Sequence, residues 1–259
     1  MTQKIKVAVS GACGKMGQAV INAVLQENDL ELVSAIDVMN VGQQTGGVTI
    51  EESLEKALLS KQIDVIIDFT NPELVFKHTK LILEKGARPV IGTTGLTESQ
   101  IEELKKLSQE KGFGCLIAPN FALGAVLMMM FAQQASKYLS NAEIIEFHHN
   151  KKKDAPSGTA IKTAQLMTQE RAKFSQDNCL EIETIQGSRG GVTESNIHIH
   201  SVRLPGFVAH QEVIFGAPGQ ALTIRHDSFD RISFMPGVIL SIRHIMKNND
   251  FVYGLENIL

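Results

Sequence analysis

The densest run of reactive side chains is Glu146-Phe147-His148-His149-Asn150-Lys151-Lys152-Lys153-Asp154-Ala155-Pro156-Ser157-Gly158-Thr159-Ala160. Two adjacent histidines end an apolar stretch, three lysines and an aspartate follow, and Pro-Ser-Gly-Thr opens a segment with helical spacing. Such a run collects positive charge and backbone donors in one place. Ser157, Gly158 and Thr159 at a helix start can bind a carboxylate through N–H and hydroxyl groups together. Lys152 and a histidine can add charge to the same anion, or stabilise charge that develops as a substrate is reduced. Histidine also titrates near neutral pH and can deliver a proton. Each feature alone has a plainer reading: a lysine run as a solvated loop, a Ser or Thr as a helix cap, a histidine as structural. Their concentration between a strand end and a helix start, in a chain that also carries a dinucleotide turn, favours chemistry.

That turn is Val7-Ala8-Val9-Ser10-Gly11-Ala12-Cys13-Gly14-Lys15-Met16-Gly17, with three glycines at GxxGxxG spacing between a strand and a helix. Glycine lets backbone approach a pyrophosphate without a Cβ, the helix start offers free N–H groups, and the third glycine allows close helix-to-sheet packing. A glycine trio by itself is also an ordinary tight turn. Here Asp37 stands twenty residues beyond Gly17 at the end of the second predicted strand, where an acid reads the ribose. Gly11, Ala12, Cys13, Gly14, Lys15, Met16 and Asp37 are therefore candidate contacts to NADH or NADPH. Val38 follows the acid and Lys15 is the nearest cation in sequence, so NADH is expected to serve at least as well as NADPH. Gly92-Thr93-Thr94-Gly95 and Ala118-Pro119-Asn120-Phe121 follow later strands and should reach the nicotinamide half; plain loop chemistry is the alternative for each.

The elements that must hold these turns follow from periodicity. Up to residue 120, short Val- and Ile-rich runs (Ile5 to Val9, Leu32 to Ile36, Val65 to Phe69, Pro89 to Ile91, Gly114 to Ile117) alternate with amphipathic segments. Those segments start near Met16, Glu51, Pro72 and Glu98, and Thr97 with Gln100 reads as a capping box. This is the pattern of βα units on a parallel sheet. After Asn120 the alternation stops. An apolar helix near Leu123 to Tyr138 and a strand at Glu143 to His148 lead past a polar connector at 171–180 to period-two segments between Glu181 and Asp227. The expected fold class is α/β: a Rossmann-like parallel-sheet nucleotide-binding domain, and an α+β substrate domain with a mostly antiparallel or mixed sheet. The expected boundaries are 1–121, completed by 232–259, and 122–231. A final helix from about Asp230 to Met246 and the tail Phe251 to Leu255 return the chain to the first domain. Closure over the ligands is expected, because the glycine turn and the Ser-Gly-Thr turn lie on different domains.

Composition narrows the partners. A net charge of −3 in 259 residues gives no broad attraction for nucleic acid or an anionic membrane, so any anion site is local. The longest apolar run, Ala122 to Ala132, is too short and glycine-interrupted to span a bilayer. Cys13, Cys115 and Cys179 are far apart and make no CxxC pair, which fits a reducing cytoplasm and offers no metal spacing. His198 and His200 share a strand face but lack a third ligand, so they are expected in the substrate cleft or at a sheet interface.

HHxxKxDAPSGTA from His148 to Ala160, with the GACGKMG turn, IGTTG, APNF, Ser201-Val202-Arg203-Leu204-Pro205-Gly206 and Ala209-His210-Gln211-Glu212, resembles the dihydrodipicolinate reductase family. The resemblance implies reduction of 4-hydroxy-tetrahydrodipicolinate on the route to diaminopimelate and lysine. It implies His148 as proton donor with Lys152 as its partner, and His149 with Ser157-Gly158-Thr159 holding substrate carboxylates. It also implies cofactor contacts at Gly11 to Met16, Asp37, Gly92 to Thr94, Ala118 to Phe121, Arg231 and Phe234, and a homotetramer built through the sheets of the second domain, which adds oligomerisation to that domain's role. Val38 departs from the arginine of many relatives. Two rivals stand beside this reading. Another dehydrogenase of similar architecture acting on a semialdehyde would need a nucleophilic cysteine in a convincing site, and a nicotinamide-sensing module would have no use for the His and Lys cluster.

Overall fold

A computed structural model of the chain describes residues 3–175 and 182–259. Cys179 and part of the predicted connector, 176–180, lie outside the described residues, as does Glu181. The chain divides into two units, one running up to Phe121 and including Arg231–Leu259, the other Ala122–Asp230.

The first unit begins β1 (Ile5–Ser10), α1 (Lys15–Gln26), β2 (Leu30–Ile36), β3 (Gln44–Thr45), β4 (Val48–Glu51), α2 (Leu54–Ser60), β5 (Val65–Asp68), α3 (Val75–Glu84), β6 (Arg88–Ile91), α4 (Glu98–Lys111) and β7 (Cys115–Ile117). The strands are short and continuously apolar because both faces are covered: all four residues of β5 are buried, as are Val7, Ala8 and Val9 of β1. Burying each such aliphatic side chain contributes about 1.5–3 kcal/mol. The predicted capping box at α4 is present, Thr97 accepting from Gln100 N–H and Gln100 answering to the Thr97 N–H. Two of these expected helix starts are corrected. The helix expected near Pro72 begins at Val75, after a turn at 72–74. Glu51 ends β4, which pairs with β2, and α2 starts only at Leu54, where the Ser53 hydroxyl accepts from Lys56 N–H. Ser53 supplies a cap that Glu51 cannot.

The second unit runs α5 (Leu123–Ser136), β8 (Asn141–His148), α6 (Gly158–Glu170), β9 (Gly191–Val192), β10 (His198–Arg203), β11 (Ala209–Ala217) and β12 (Gln220–Ser228). Its sheet has the order β12-β11-β8-β10-β9, with β8 and β10 parallel and the other pairs antiparallel, so it is mixed. Alternate residues Ala142 and Ile144 of β8, with Val213 and Phe215 of β11, join Ala160, Ala164 and Met167 of α6 in one core. The opposite face carries Glu143, Ile145 and Phe147.

Arg231–Phe234 then forms a 3₁₀ turn, followed by α7 (Met235–Lys247) and β13 (Phe251–Tyr253). The α-helix therefore starts later than expected, because Pro236 supplies the preset φ of a first turn. Strand β13 pairs with β7, completing an eight-stranded sheet of order β13-β7-β6-β5-β1-β2-β4-β3, parallel but for the β3–β4 pair. The order changes direction at β1, with β2 on one side and β5 on the other, so the turns after these strands meet at the carboxyl edge where such sheets take ligands.

Close packing of α7 depends on Gly237, where a Cβ would stand 2.1 Å from the Phe121 carbonyl oxygen. Gly237→Ala is expected to lower the midpoint of urea unfolding, followed by circular dichroism, with a loss of about 1–3 kcal/mol. Gly191→Ala, with open space around the added methyl, serves as the control and should change stability by less than about 0.5 kcal/mol.

Candidate active site

At the glycine turn, backbone stands against backbone. Gly11 has φ +81°, and a Cβ there would lie 2.3 Å from the Phe69 carbonyl oxygen; one on Gly17 would lie 2.1 Å from the Gly11 oxygen. The first glycine thus lets the turn fold against the end of β5, and the third lets α1 rest on the turn. Gly11 and Ala12 N–H donate to the Ile36 carbonyl, which holds the turn beside the end of β2. Gly14 caps α1 without a side-chain acceptor, and the first turn of the helix contains no acid. Its N–H donors are therefore suited to an external anion such as a pyrophosphate.

A cavity of about 480 Å³ opens here, lined by Gly11, Cys13, Gly14, Asp37, Thr70 and His78 among others, a size typical of small-ligand sites. Asp37 is placed where the sequence predicts it. Its two oxygens accept from Cys13 N–H at 2.8 Å and Met39 N–H at 2.9 Å. Val38 is 75% exposed and Lys15 is exposed at the first helical position. Glycines at the crowded approaches, a helix start without an acid, and a carboxylate on the cavity wall together fit a dinucleotide.

The turn after β5 lines the same cavity through Phe69, Thr70, Asn71 and, from α3, His78. Sequence reasoning passed over it. It is built around Asp68, fully buried, whose Oδ1 accepts from Thr70 N–H, Thr70 Oγ1 and Thr93 Oγ1 and whose Oδ2 meets His78 Nδ1 at 2.9 Å. Burial opposes ionisation of Asp68, yet bonds from His78, Thr70 and Thr93 hold its carboxyl below the usual range. An acid ending the otherwise apolar strand Val65-Ile66-Ile67 was the available signal. Thr93 is thereby tied to the β5 turn, while Thr94 is exposed and Gly92 lies against the Phe69 ring. Ala118 and the Phe121 ring are buried, Phe121 at 5.8 Å from Phe69, and Pro119 is exposed. The residues lining the cavity include none from 92–94 or 118–121. The Arg231–Phe234 turn lies against α1, with Arg231 exposed.

In the second unit, His148 ends β8 and offers Nδ1 to Glu146 at 2.6 Å. Glu146 shares the buried face with Ala142 and Ile144 and is itself 0% exposed. Its oxygens also take both terminal nitrogens of Arg203, at 2.8 and 2.7 Å, and the Ser157 N–H at 3.1 Å. Burial would raise this carboxyl, but the bonds from His148, Arg203 and Ser201 bring it down to about 2. Lys152 is half-buried and bonds both oxygens of Asp154 at 2.8 Å, whereas Lys151 and Lys153 are exposed. The Lys152 ammonium keeps the Asp154 carboxyl below its ordinary range. The Ser157 hydroxyl is buried and caps α6 by accepting from Ala160 N–H. Gly158, exposed and with open space about it, begins the helix, followed by Thr159; His149 is exposed. Glu146 and Arg203 were given no role by the sequence; an acid on an apolar strand face was the signal for the first.

His198 and His200 lie on the other face of this sheet. His200 Nε2 meets Glu143 at 2.8 Å, and His198 Nδ1 is 2.6 Å from the Arg189 carbonyl oxygen. They belong to a hydrogen-bonded cluster with Glu143 and Arg189, the latter bonding Glu143 at 2.6 Å.

Comparison with known proteins agrees over the whole chain. The family model described as dihydrodipicolinate reductase, N-terminus, matches residues 5–121, and that described as dihydrodipicolinate reductase, C-terminus, matches residues 124–259. A 4-hydroxy-tetrahydrodipicolinate reductase from Listeria monocytogenes is 53% identical, covering 98% of this chain and 100% of the relative. One from Syntrophomonas wolfei is 49% identical with both chains fully covered. The dipicolinate-bound dihydrodipicolinate reductase from Paenisporosarcina sp. TG-14 superposes with a TM-score of 0.91 at 45% identity, covering 99% of this chain and 100% of that one. An amine dehydrogenase from Mycobacterium smegmatis, 12% identical at a TM-score of 0.69 over 98% of this chain and 96% of its own, shares the fold. Matched by both halves of the family model and by relatives of the same length, the chain belongs to the dihydrodipicolinate reductase family.

Proposed function

We propose that this chain reduces 4-hydroxy-tetrahydrodipicolinate to tetrahydrodipicolinate with NADH or NADPH, on the route to diaminopimelate and lysine. The observation that carries the reading is the joining of His148, the α6 start and the Lys152 loop through one buried carboxylate and Arg203, in a family member. The first unit acts as the dinucleotide-binding domain and the second as the substrate and oligomerisation domain.

Gly11 to Met16 would hold the pyrophosphate, Asp37 the adenosine ribose, and Gly92 to Thr94 with Ala118 to Phe121 the nicotinamide half; Arg231 and Phe234 add contacts. Bound NADH or NADPH supplies a hydride to C4 of the substrate ring. That ring carries two carboxylates, which His149, Lys152 and the Ser157-Gly158-Thr159 turn hold by charge and by helix-start N–H groups. Loss of the 4-hydroxyl as water precedes or accompanies reduction. When C4 is reduced, the charge left in the ring requires a proton, and His148 delivers it from Nε2, its Nδ1 being engaged by Glu146. Lys152 stabilises the developing charge. Four such chains assemble through the outer face of the second sheet, where Ile145, Phe147 and Ile214 remain only partly covered in the single chain. The free thiols of Cys13 and Cys115 suit a reducing cytoplasm.

Two assays of substrate-dependent loss of reduced-cofactor absorbance check this. His148→Gln should lower kcat by about 10²–10⁴-fold while NADH still binds, and Lys152→Ala should be far more damaging than Lys151→Ala or Lys153→Ala; undiminished turnover in His148→Gln removes that residue from the chemistry. In the second, kcat/KM with NADH should equal or exceed that with NADPH, because Asp37 faces a 2′-phosphate with no adjacent arginine. A large NADPH preference abolished by Lys15→Ala would contradict that account of the pair.

A further inference from the structure

We infer that Glu146 is a positioning residue for this reaction: its buried carboxylate fixes the tautomer and direction of the His148 ring and locks the start of α6 to it, with Arg203 as the compensating cation. The inference rests on the function proposed above and assigns a role to two residues that touch neither cofactor nor substrate in it.

Glu146 occupies an apolar face, where an ionised acid persists only if its lone pairs are filled and its charge matched. Both conditions are met. Oε2 receives His148 Nδ1 and one Arg203 nitrogen; Oε1 receives the other Arg203 nitrogen and Ser157 N–H. Arg203 reaches this spot because β10 runs parallel to β8 in a register that places it beside His148. Its guanidinium extends the tie by donating to the Asp154 carbonyl oxygen at 2.8 Å, so the loop bearing Lys152 hangs on the same hub.

The chemistry follows from the donor direction. An ionised carboxylate only accepts, so the ring nitrogen facing it must carry hydrogen. His148 is thereby held with Nδ1–H in both of its charge states, and Nε2 is the atom that gains and loses the proton. Each turnover then leaves the ring seated, ready to be recharged at the same atom. The charged groups about His148 are Glu146 on its own strand and Arg203 on β10, with Lys152 and Asp154 on the following loop. Its β11 neighbour is Ala209, and α6 faces the hub with the Ser157 N–H. Glu146 is the nearest anion, its Oε2 standing 2.6 Å from Nδ1.

The experiment combines two variants with a measurement on the unaltered protein. In Glu146→Gln the amide no longer obliges the facing ring nitrogen to carry hydrogen, so neutral His148 should cease to be protonated at Nδ1 alone. Peak kcat should fall about 10–100-fold and the KM for NADH should change little. Glu146→Gln combined with Arg203→Met removes both charges, leaves no orphaned cation, and should show the same loss of kcat and of the single tautomer. Nitrogen NMR of the unaltered chain, with His148→Gln for assignment, should show neutral His148 protonated at Nδ1. A folded variant with an unchanged His148 tautomer and kcat within about twofold of the parent overturns the inference, as does a neutral His148 protonated at Nε2 in the unaltered chain. The function itself is tested separately, since in that event His148→Gln would still be inactive. Turnover retained in His148→Gln would instead strike at the proposed mechanism.

Discussion

A carboxylate set among apolar side chains stays charged only while donors and a cation surround it, and in the second unit that requirement organises the reactive segment. Glu146 projects from β8 on the same face as Ala142 and Ile144, and its charge draws in Arg203, the His148 ring and the first backbone donor of the α6 region. Removing any partner would leave a buried charge incompletely matched. The strand, the loop and the helix start therefore hold their places together, and His148 and the loop bearing Lys152 acquire fixed surroundings from one electrostatic condition.

The first unit meets a different constraint, the distance between backbones. Gly11 sits where a Cβ would strike the Phe69 carbonyl, and Gly17 where one would strike Gly11, so turn and helix lie closer than side chains permit. That closeness brings the start of α1 to the ends of β1, β2 and β5 and leaves its N–H groups facing a cavity walled by Asp37. Asp68 repeats the electrostatic device: fully buried, it binds the turns after β5 and β6 into a single piece through Thr70 and Thr93. Rigid loops at a strand edge are what a ligand site needs, because disorder there would have to be removed on binding.

How much could be read in advance depended on the range of the interaction. The strands of the first unit were legible because burial on both faces demands unbroken Val and Ile, and α4 because its cap is local, Thr97 with Gln100. The start of α2 was misplaced since Glu51 is held in a strand by β2, which a local pattern does not contain. The final helix was expected too early because the 3₁₀ turn at Arg231–Phe234 and the α-turn that follows share the same periodicity over a few residues. The cap of α6 was likewise local, the Ser157 hydroxyl accepting from Ala160 N–H three residues on.

Residue order alone determined the glycine spacing after β1, the acid at Asp37, and the company of His148, Lys152 and the Ser-Gly-Thr turn, since all of these are separations along a chain. Only tertiary structure decided that Glu146 and Arg203, 57 positions apart, would share a bidentate bond, and that Asp68 would reach Thr93 25 positions on. Parallel strands are joined by long connections, so their register is set by the packing of whole faces, and which charge meets which is settled when those faces close.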